Sequence, residues 1–235
     1  MQLFKVGHQY SHLANQTLNW LPNDDEERFN NNLKQNYNLL EKYNWLNKTI
    51  TYQFNSFGFR CDEFSISNKN ILFLGCSFTC GIGLPYEDTW AQIVSQKLGL
   101  TNCNLGIGGT SLNTAFRLGH IYIPTLQPKI VILLEPEKHR LEILNHNGYY
   151  DVLPQFSGWK GIDEFYKIWI SNETNCDMNR LKNVLALEHI CKLNNIKFHS
   201  FQISEMNEVD KARDLGHAGT KSNANFADYV LKKMA

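Results

Sequence analysis

Residues 70–81 read NILFLGCSFTCG, in which the apolar run 71–74 ends at Gly75 and Ser77 follows two residues later. A continuous apolar run of this kind is typical of a central parallel strand that helices cover on both faces. In open α/β sheets, ligands bind beyond the carboxyl ends of the strands. The sequence therefore places Ser77 where a functional site is expected.

Short apolar runs alternate with helical segments from this point to the C-terminus. Strands are predicted at 102–105, 129–134 and 197–203, and helices at about 89–98, 112–118, 179–193 and 225–234. Strands that alternate with helices favour βαβ units and a mostly parallel sheet. We therefore expect a three-layer α/β/α domain over residues 69–235, with an insertion at about 145–176.

Residues 1–68 differ from the rest of the chain because they are polar and rich in asparagine. One helix is predicted there from about Asp24 to Tyr43, where apolar residues recur at helical spacing. A short extended run follows at 50–54, and no linker rich in proline, glycine and serine separates this part from the main domain. We interpret it as an N-terminal extension packed on that domain.

Composition and charge exclude several classes of protein. The chain of 235 residues carries 23 Lys and Arg against 23 Asp and Glu, and a net charge of zero argues against binding to nucleic-acid phosphates. No stretch approaches the roughly 20 apolar residues of a membrane helix, and the start does not resemble a signal peptide. The six cysteines lie mostly in apolar runs, as buried free thiols do. We expect a cytoplasmic protein, and its oligomeric state stays open.

The position of Ser77 has two interpretations. A serine that leaves a buried strand through a glycine-flanked turn can act as a nucleophile beside backbone N–H groups that bind an oxyanion. The alternative is a helix N-cap, which is a common role for serine at a strand-to-helix turn.

Two further loops follow predicted strands. The glycine-rich run 104–111 allows close approach of a ligand, but Ser111 stands where a dinucleotide fingerprint needs its third glycine. Asp214 and His217 lie three residues apart before the last predicted helix, where the carboxylate can fix the tautomer of the imidazole. The alternative is that Asp214 caps a turn and that His217 is exposed to solvent.

Taken in order, these runs resemble the blocks of the SGNH (GDSL-like) hydrolase superfamily. Residues 71–81 are similar to its first block and 104–109 to its second, and 214–217 match the final D-x-x-H. The run 55–60 is similar to the N-S-x-G-F-R lead-in of such proteins. The resemblance covers roughly residues 50–235.

The resemblance implies an SGNH (flavodoxin-like) fold with a parallel sheet of about five strands. It also implies serine-dependent ester hydrolysis, or acyl transfer, through an acyl-serine intermediate. It makes Ser77 the nucleophile, His217 the general base and Asp214 the carboxylate that orients this base. It also makes the N–H groups of Ser77 and Gly109 the oxyanion hole. The implied substrate is a small acyl ester, which includes acylated carbohydrates, and no metal or organic cofactor is implied.

The sequence departs from the family's pattern at two places. Cys76 stands where the first block usually has Asp, and Glu137 stands at the Asn position of the third block, normally G-x-N-D. That Asn supplies an oxyanion donor, and losing one donor typically costs about 2.7–4 kcal/mol of transition-state stabilisation. The alternative function is therefore a catalytically weakened or inactive SGNH-like module for binding or structure.

The charged residues after the strand at 129–134 form a candidate edge of the site. They are Glu137, His139 and Arg140, and the alternative is a solvated strand end. An ionised Glu137 aimed at a developing oxyanion would repel it. We therefore expect its side chain to turn toward Lys138, His139 or Arg140.

The remaining cysteines and histidines do not predict a metal site. Cys76 and Cys80 bracket the serine, but no second pair completes a zinc set. His8 and His12 are four residues apart and lack a third ligand, so we interpret both as surface histidines.

Overall fold

The computed structural model describes residues 7–145, 148–152 and 162–235. Its strands are β1 (Thr17–Leu18), β2 (Tyr52–Gln53), β3 (Asn70–Leu74), β4 (Thr101–Asn104), β5 (Ile130–Glu135), β6 (Leu141–Asn145), β7 (Gly148–Val152) and β8 (Lys197–Gln202). Its α-helices are α1 (Glu26–Gln35), α2 (Tyr37–Lys42), α3 (Ser77–Cys80), α4 (Trp90–Leu98), α5 (Leu112–Leu126), α6 (Ile162–Ile170), α7 (Glu173–Leu193) and α8 (Thr220–Met234).

The central sheet is parallel, and its described part has four strands in the order β4-β3-β5-β8. Alternate side chains of β3 enter two separate cores: Leu72 and Leu74 pack with α5 and α7, whereas Ile71 and Phe73 pack with α4 and α8. The predicted three-layer α/β/α fold is confirmed. The described residues contain no fifth strand of this sheet. Between β5 and β8, the strands β6 and β7 pair with each other in a separate two-stranded sheet.

Capping residues define the helix that follows the first loop of the sheet. Thr89 precedes α4, and its side chain accepts a hydrogen bond from the Gln92 N–H at 3.4 Å. Gly99 ends the helix in the left-handed conformation that glycine adopts without steric cost. These signals agree with the predicted bounds of this helix.

The helix predicted from Asp24 to Tyr43 is divided in two. Asp25 caps α1 by accepting a hydrogen bond from the Arg28 N–H at 2.7 Å. Asn36 then leaves the helical conformation, with φ −131° and ψ 29°, and separates α1 from α2. Asparagine competes with helix formation through local hydrogen bonds, and its side chain donates to Asn32 Oδ1 at 3.0 Å.

The segment before residue 69 packs on one face of the central sheet. Tyr10, Leu40 and Trp45 are buried in the same cluster as Leu72 and Leu74 of β3. Within the segment, β1 and β2 form a two-stranded antiparallel ladder. The segment therefore covers part of the face that carries α5 and α7.

His8 is buried, with 6% of its surface exposed, so the interpretation of this residue as a surface histidine is wrong. Its Nε2 lies 2.8 Å from the Phe57 carbonyl, its Nδ1 accepts from the Tyr10 N–H at 3.3 Å, and its ring stacks on Phe59. These partners compensate for the loss of water. Burial lowers the pKa of His8 to about 4. His12 is exposed, as expected.

The insertion begins with a β-hairpin formed by β6 and β7. Arg117 of α5 forms a buried ion pair with Glu142 of β6 at 2.7 Å and so attaches the hairpin to the domain. Part of the predicted insertion, residues 146–147 and 153–161, lies outside the described residues. None of the described helices combines the length and the apolar character needed to span a bilayer.

The buried His8 makes folding sensitive to acid. Its pKa is lower in the folded chain than in the unfolded chain, so protonation favours unfolding. Above pH 6.5, the ionisation of His8 does not reduce the free energy of unfolding. As the pH falls from 6.5 toward 4, His8 takes up a proton in the unfolded chain first, and the free energy of unfolding decreases by about 3 kcal/mol at most. His8→Gln should weaken this dependence in urea titrations at pH 7, 5.5 and 4.5, whereas His12→Gln should leave it unchanged. Equal pH dependence in the wild type and His8→Gln would contradict a neutral, buried His8.

Candidate active site

Ser77 lies at the carboxyl end of β3, as the first residue of α3. The N-cap residue is Cys76 and forms no side-chain cap, so Ser77 does not serve as the N-cap. Ser77 is buried, and its Oγ lies 4.0 Å from Cys76 Sγ. The turn requires Gly75, because φ is +155° there and a Cβ would lie 2.1 Å from Thr79 Oγ1.

The glycine-rich loop after β4 lies against the serine turn. Asn104 connects them, since its side chain donates to the Thr79 carbonyl at 2.7 Å and accepts from the Gly106 N–H at 2.8 Å. The Ile107 N–H also donates to the Gly75 carbonyl at 3.3 Å. Within the described part of the chain, the N–H groups of Ser77 and Gly109 have no hydrogen-bond acceptor. Neither group is therefore used by a hydrogen bond inside this part of the chain.

Asp214 and His217 form a hydrogen-bonded pair in the loop before α8. His217 Nδ1 lies 2.6 Å from Asp214 Oδ2, while the N–H groups of His217 and Gly216 donate to Oδ1 at 3.1 and 3.2 Å. Burial acts to raise the pKa of Asp214, but these hydrogen bonds and the charge of His217 lower it below its usual value. Asp214 is therefore an ionised acceptor that orients the imidazole.

The imidazole lies beside the serine turn. The Phe78 ring meets the His217 ring edge-on, with a centroid separation of 5.0 Å, and Phe78 directly follows Ser77. Among the described residues, no hydrogen bond joins Ser77 to His217. The structure thus brings Ser77, Asp214 and His217 to one edge of the sheet, and catalytic hydrogen bonds often shorten only when substrate is bound.

Glu137 is directed toward other charged side chains. It is hydrogen-bonded to His139 Nδ1, and His139 Nε2 lies 2.9 Å from Glu173 of α7. These two carboxylates raise the pKa of His139. Arg140 follows in the same loop, and its Nη1 donates to the Thr110 carbonyl at 3.4 Å.

The N-terminal segment holds the loop that carries Asp214. Arg28 of α1 donates from Nε to the Asp214 carbonyl at 2.8 Å. Asp24 forms an ion pair with Arg213 at 2.7 Å, and both side chains are almost completely buried. Trp45 donates to the Lys211 carbonyl at 2.8 Å. Sequence analysis missed these contacts, because nothing in a single sequence pairs residues that lie 166 to 189 positions apart.

A second contact from the same segment holds the serine turn. The buried Arg60 donates to the carbonyls of Gly81 and Leu84 at 2.6 and 2.7 Å. Its guanidinium stacks over the Tyr52 ring, 4.3 Å from the centroid. Arg60 ends the run that resembles the N-S-x-G-F-R lead-in, and this run was the sequence signal for it.

No cluster suited to a metal ion occurs among the His, Cys, Asp and Glu residues that the structure describes. Cys76 and Cys80 are free and buried. Burial raises the pKa of Cys80 to about 11, which keeps this thiol protonated near neutral pH. A cavity of about 600 Å³ opens between Thr51, Arg60, Asp62 and Tyr86, and its lining does not include Ser77.

Comparison with known proteins finds similar solved structures. No protein-family model and no curated protein matches the sequence, whereas 22 chains of solved structures match. A psychrotrophic esterase from Pseudoalteromonas sp., inhibited by monoethylphosphonate, is 16% identical over 72% of this chain and 97% of its own, with a TM-score of 0.38.

Two other solved structures show a similar degree of likeness. An acetyl xylan esterase is 16% identical over 71% of this chain and 100% of its own, with a TM-score of 0.38. A GDSL-like lipase from Bacteroides thetaiotaomicron is 12% identical over 71% of this chain and 87% of its own, with a TM-score of 0.32.

Loss of the Asp24 carboxylate should destabilise the whole protein, because it leaves the buried charge of Arg213 without the carboxylate that neutralises it. Asp24→Asn should lower the free energy of unfolding by about 3–5 kcal/mol in urea titrations. The matched control is Asp228→Asn, since Asp228 pairs with Lys97 on the surface and should contribute little. Equal stabilities of the two variants would contradict the role assigned to the buried pair.

Proposed function

We propose that this protein hydrolyses small acyl esters, or transfers their acyl groups, through an acyl-serine intermediate. The supporting observation is the 2.6 Å hydrogen bond from His217 Nδ1 to the buried Asp214, beside the turn that presents Ser77. With Nδ1 bonded to Asp214, the Nε2 of a neutral His217 has the free lone pair of a general base. Such a pair is the usual means of activating a serine hydroxyl.

In the first half-reaction, the Ser77 Oγ attacks the ester carbonyl carbon and His217 Nε2 takes the hydroxyl proton. The carbonyl oxygen becomes an oxyanion, which the N–H groups of Ser77 and Gly109 stabilise. The tetrahedral intermediate collapses, the bond to the alcohol oxygen breaks, and His217 gives its proton to the leaving alcohol. Asp214 remains ionised and stabilises the imidazolium.

In the second half-reaction, a water molecule or an acceptor alcohol attacks the acyl-serine. His217 Nε2 takes the proton of the attacking group, and the same N–H groups stabilise the new oxyanion. Collapse releases the acid or the new ester, and the proton returns to Ser77 Oγ. The cycle uses residues of this chain alone and requires neither a metal nor an organic cofactor.

The second candidate function is a binding or structural module that has lost catalysis. The observation in its favour is Glu137, which stands at the position of the third-block asparagine and is directed toward His139. Only backbone donors then remain in the proposed oxyanion hole. This predicts a slower enzyme than one with a side-chain donor, by about 10²–10³ in kcat.

Ser77→Ala should abolish hydrolysis of an activated short-chain ester such as 4-nitrophenyl acetate, because the variant lacks the nucleophile. The matched control is Ser171→Ala, which removes an exposed hydroxyl at the end of α6 and should retain full kcat/KM. Full activity of a folded Ser77→Ala variant would exclude Ser77 as the nucleophile, and absence of activity in the wild type would favour the binding module.

The proposed base predicts a pH dependence. His217 must be neutral to accept the serine proton, so kcat/KM should increase with pH as the imidazole loses its charge. Asp214→Asn should lower kcat by several orders of magnitude while the variant stays folded, because the amide does not stabilise the imidazolium. His217→Ala should remove the pH-dependent limb from any residual rate. A flat profile between pH 5 and 8 in an active wild type would contradict this assignment.

A further inference from the structure

Arg140 lies next to the proposed oxyanion hole. It follows β5, and its Nη1 donates to the carbonyl of Thr110, the residue directly after Gly109. Thr110 in turn contacts the serine turn, since its Oγ1 lies 3.4 Å from the Gly75 carbonyl. Gly109 and Thr110 together span at most about 7 Å of chain, and the guanidinium is bonded to the Thr110 carbonyl. The guanidinium therefore lies within about 10 Å of the Gly109 N–H.

Arg140 differs from neighbouring cations because it has no carboxylate partner within the described residues. Lys138 pairs with Glu173 and Asp177, and Arg180 pairs with Glu135. Arg140 is half-buried, and among the described residues its guanidinium makes one hydrogen bond, to the Thr110 carbonyl, so most of its five donors have no acceptor in this part of the chain. A partly buried guanidinium with free donors has the geometry to bind an external anion.

We infer that Arg140 binds a carboxylate of the substrate, so that this protein acts on esters that carry a negative charge. The inference rests on the proposed function and adds the substrate class. A guanidinium donates two parallel hydrogen bonds to a carboxylate in a planar geometry. Among the described residues Arg140 has no carboxylate partner, and its planar donors match the two oxygens of a carboxylate.

The distance between Arg140 and the Gly109 N–H also limits where the substrate carries its charge. The ester carbonyl oxygen would lie on the N–H groups of Ser77 and Gly109, and the carboxylate would lie on Arg140 within about 10 Å. A carboxylate separated from the ester by a benzene ring or by four methylene groups meets this limit. The group can lie on the alcohol side or on the acyl side of the scissile bond.

Two matched substrate pairs test the inference. The first pair is 4-acetoxybenzoate and 4-acetoxybenzamide, and the second is the mono-4-nitrophenyl ester of adipic acid and 4-nitrophenyl hexanoate. In at least one pair, the wild type should show a kcat/KM for the anionic ester that is about 10–100 times higher. Arg140→Gln should lower this ratio at least tenfold, and Arg140→Lys should keep part of it. The ratio within one variant does not depend on the amount of folded protein.

Lys138→Gln is the matched control. It also removes one positive charge, two residues from Arg140, but the Lys138 side chain is already paired with Glu173 and Asp177. Its ratio should equal that of the wild type. An equal loss in Lys138→Gln and Arg140→Gln would show a general charge effect and overturn the inference. A wild type that hydrolyses both members of each pair equally well would also overturn it while leaving the ester hydrolase intact.

Binding of adipate provides a readout that does not depend on activity. Calorimetry should detect adipate binding to the wild type and to Ser77→Ala, and binding should be lost in Arg140→Gln. If no ester is hydrolysed but this pattern holds, the proposed function fails and the anion site stands. If adipate does not bind and no anionic ester is preferred, the inference is wrong.

Discussion

The Asp24 carboxylate is the group that connects the two halves of the proposed site, which are the loop that carries Asp214 and the loop that follows Ser77. It accepts hydrogen bonds from Arg213 at 3.0 and 2.7 Å and from the Tyr52 hydroxyl. The same hydroxyl accepts from the Gly83 N–H at 2.8 Å. One buried carboxylate therefore connects the loop that carries Asp214 to the loop that follows Ser77. Removing one partner of a buried ion pair is costly, so this connection resists local opening.

This arrangement gives the N-terminal segment a role in positioning the proposed site. Arg28 and Arg60 donate to backbone carbonyls next to Asp214 and beyond Ser77, respectively. Because both arginines bond to backbone carbonyls and not to side chains, they constrain the path of each loop. Leu215 has a positive φ of 54°, which bulky residues rarely adopt, and the contacts around it hold this conformation.

Local sequence patterns were sufficient for the central elements. The apolar runs of β3 and β5 predicted buried parallel strands, because a strand covered on both faces has no polar alternation. The helix break at Asn36 was missed, since the apolar spacing continued through it. The serine, glycine and Asp-His loops could be found from the sequence because each follows a predicted strand or precedes a predicted helix.

Contacts between distant residues could not be predicted. Burial of His8 depends on the Phe57 carbonyl, and the pairing of Asp24 with Arg213 spans most of the chain. None of these residue types reveals its partner, since Asp and Arg are mostly exposed and His is intermediate in burial. The orientation of Glu137 was expected on electrostatic grounds, whereas the lack of a carboxylate partner for Arg140 among the described residues could be found only from the positions of the charged side chains around it.

The central claim is that the Asp214–His217 pair activates Ser77 as a nucleophile. Treatment of the folded protein with a fluorophosphonate, followed by peptide mass spectrometry, tests this claim most directly, because such reagents phosphonylate only activated serines. The account predicts one adduct, on Ser77, which disappears in a folded His217→Ala variant. A folded wild type without an adduct, or with its adduct on another residue, would contradict the account.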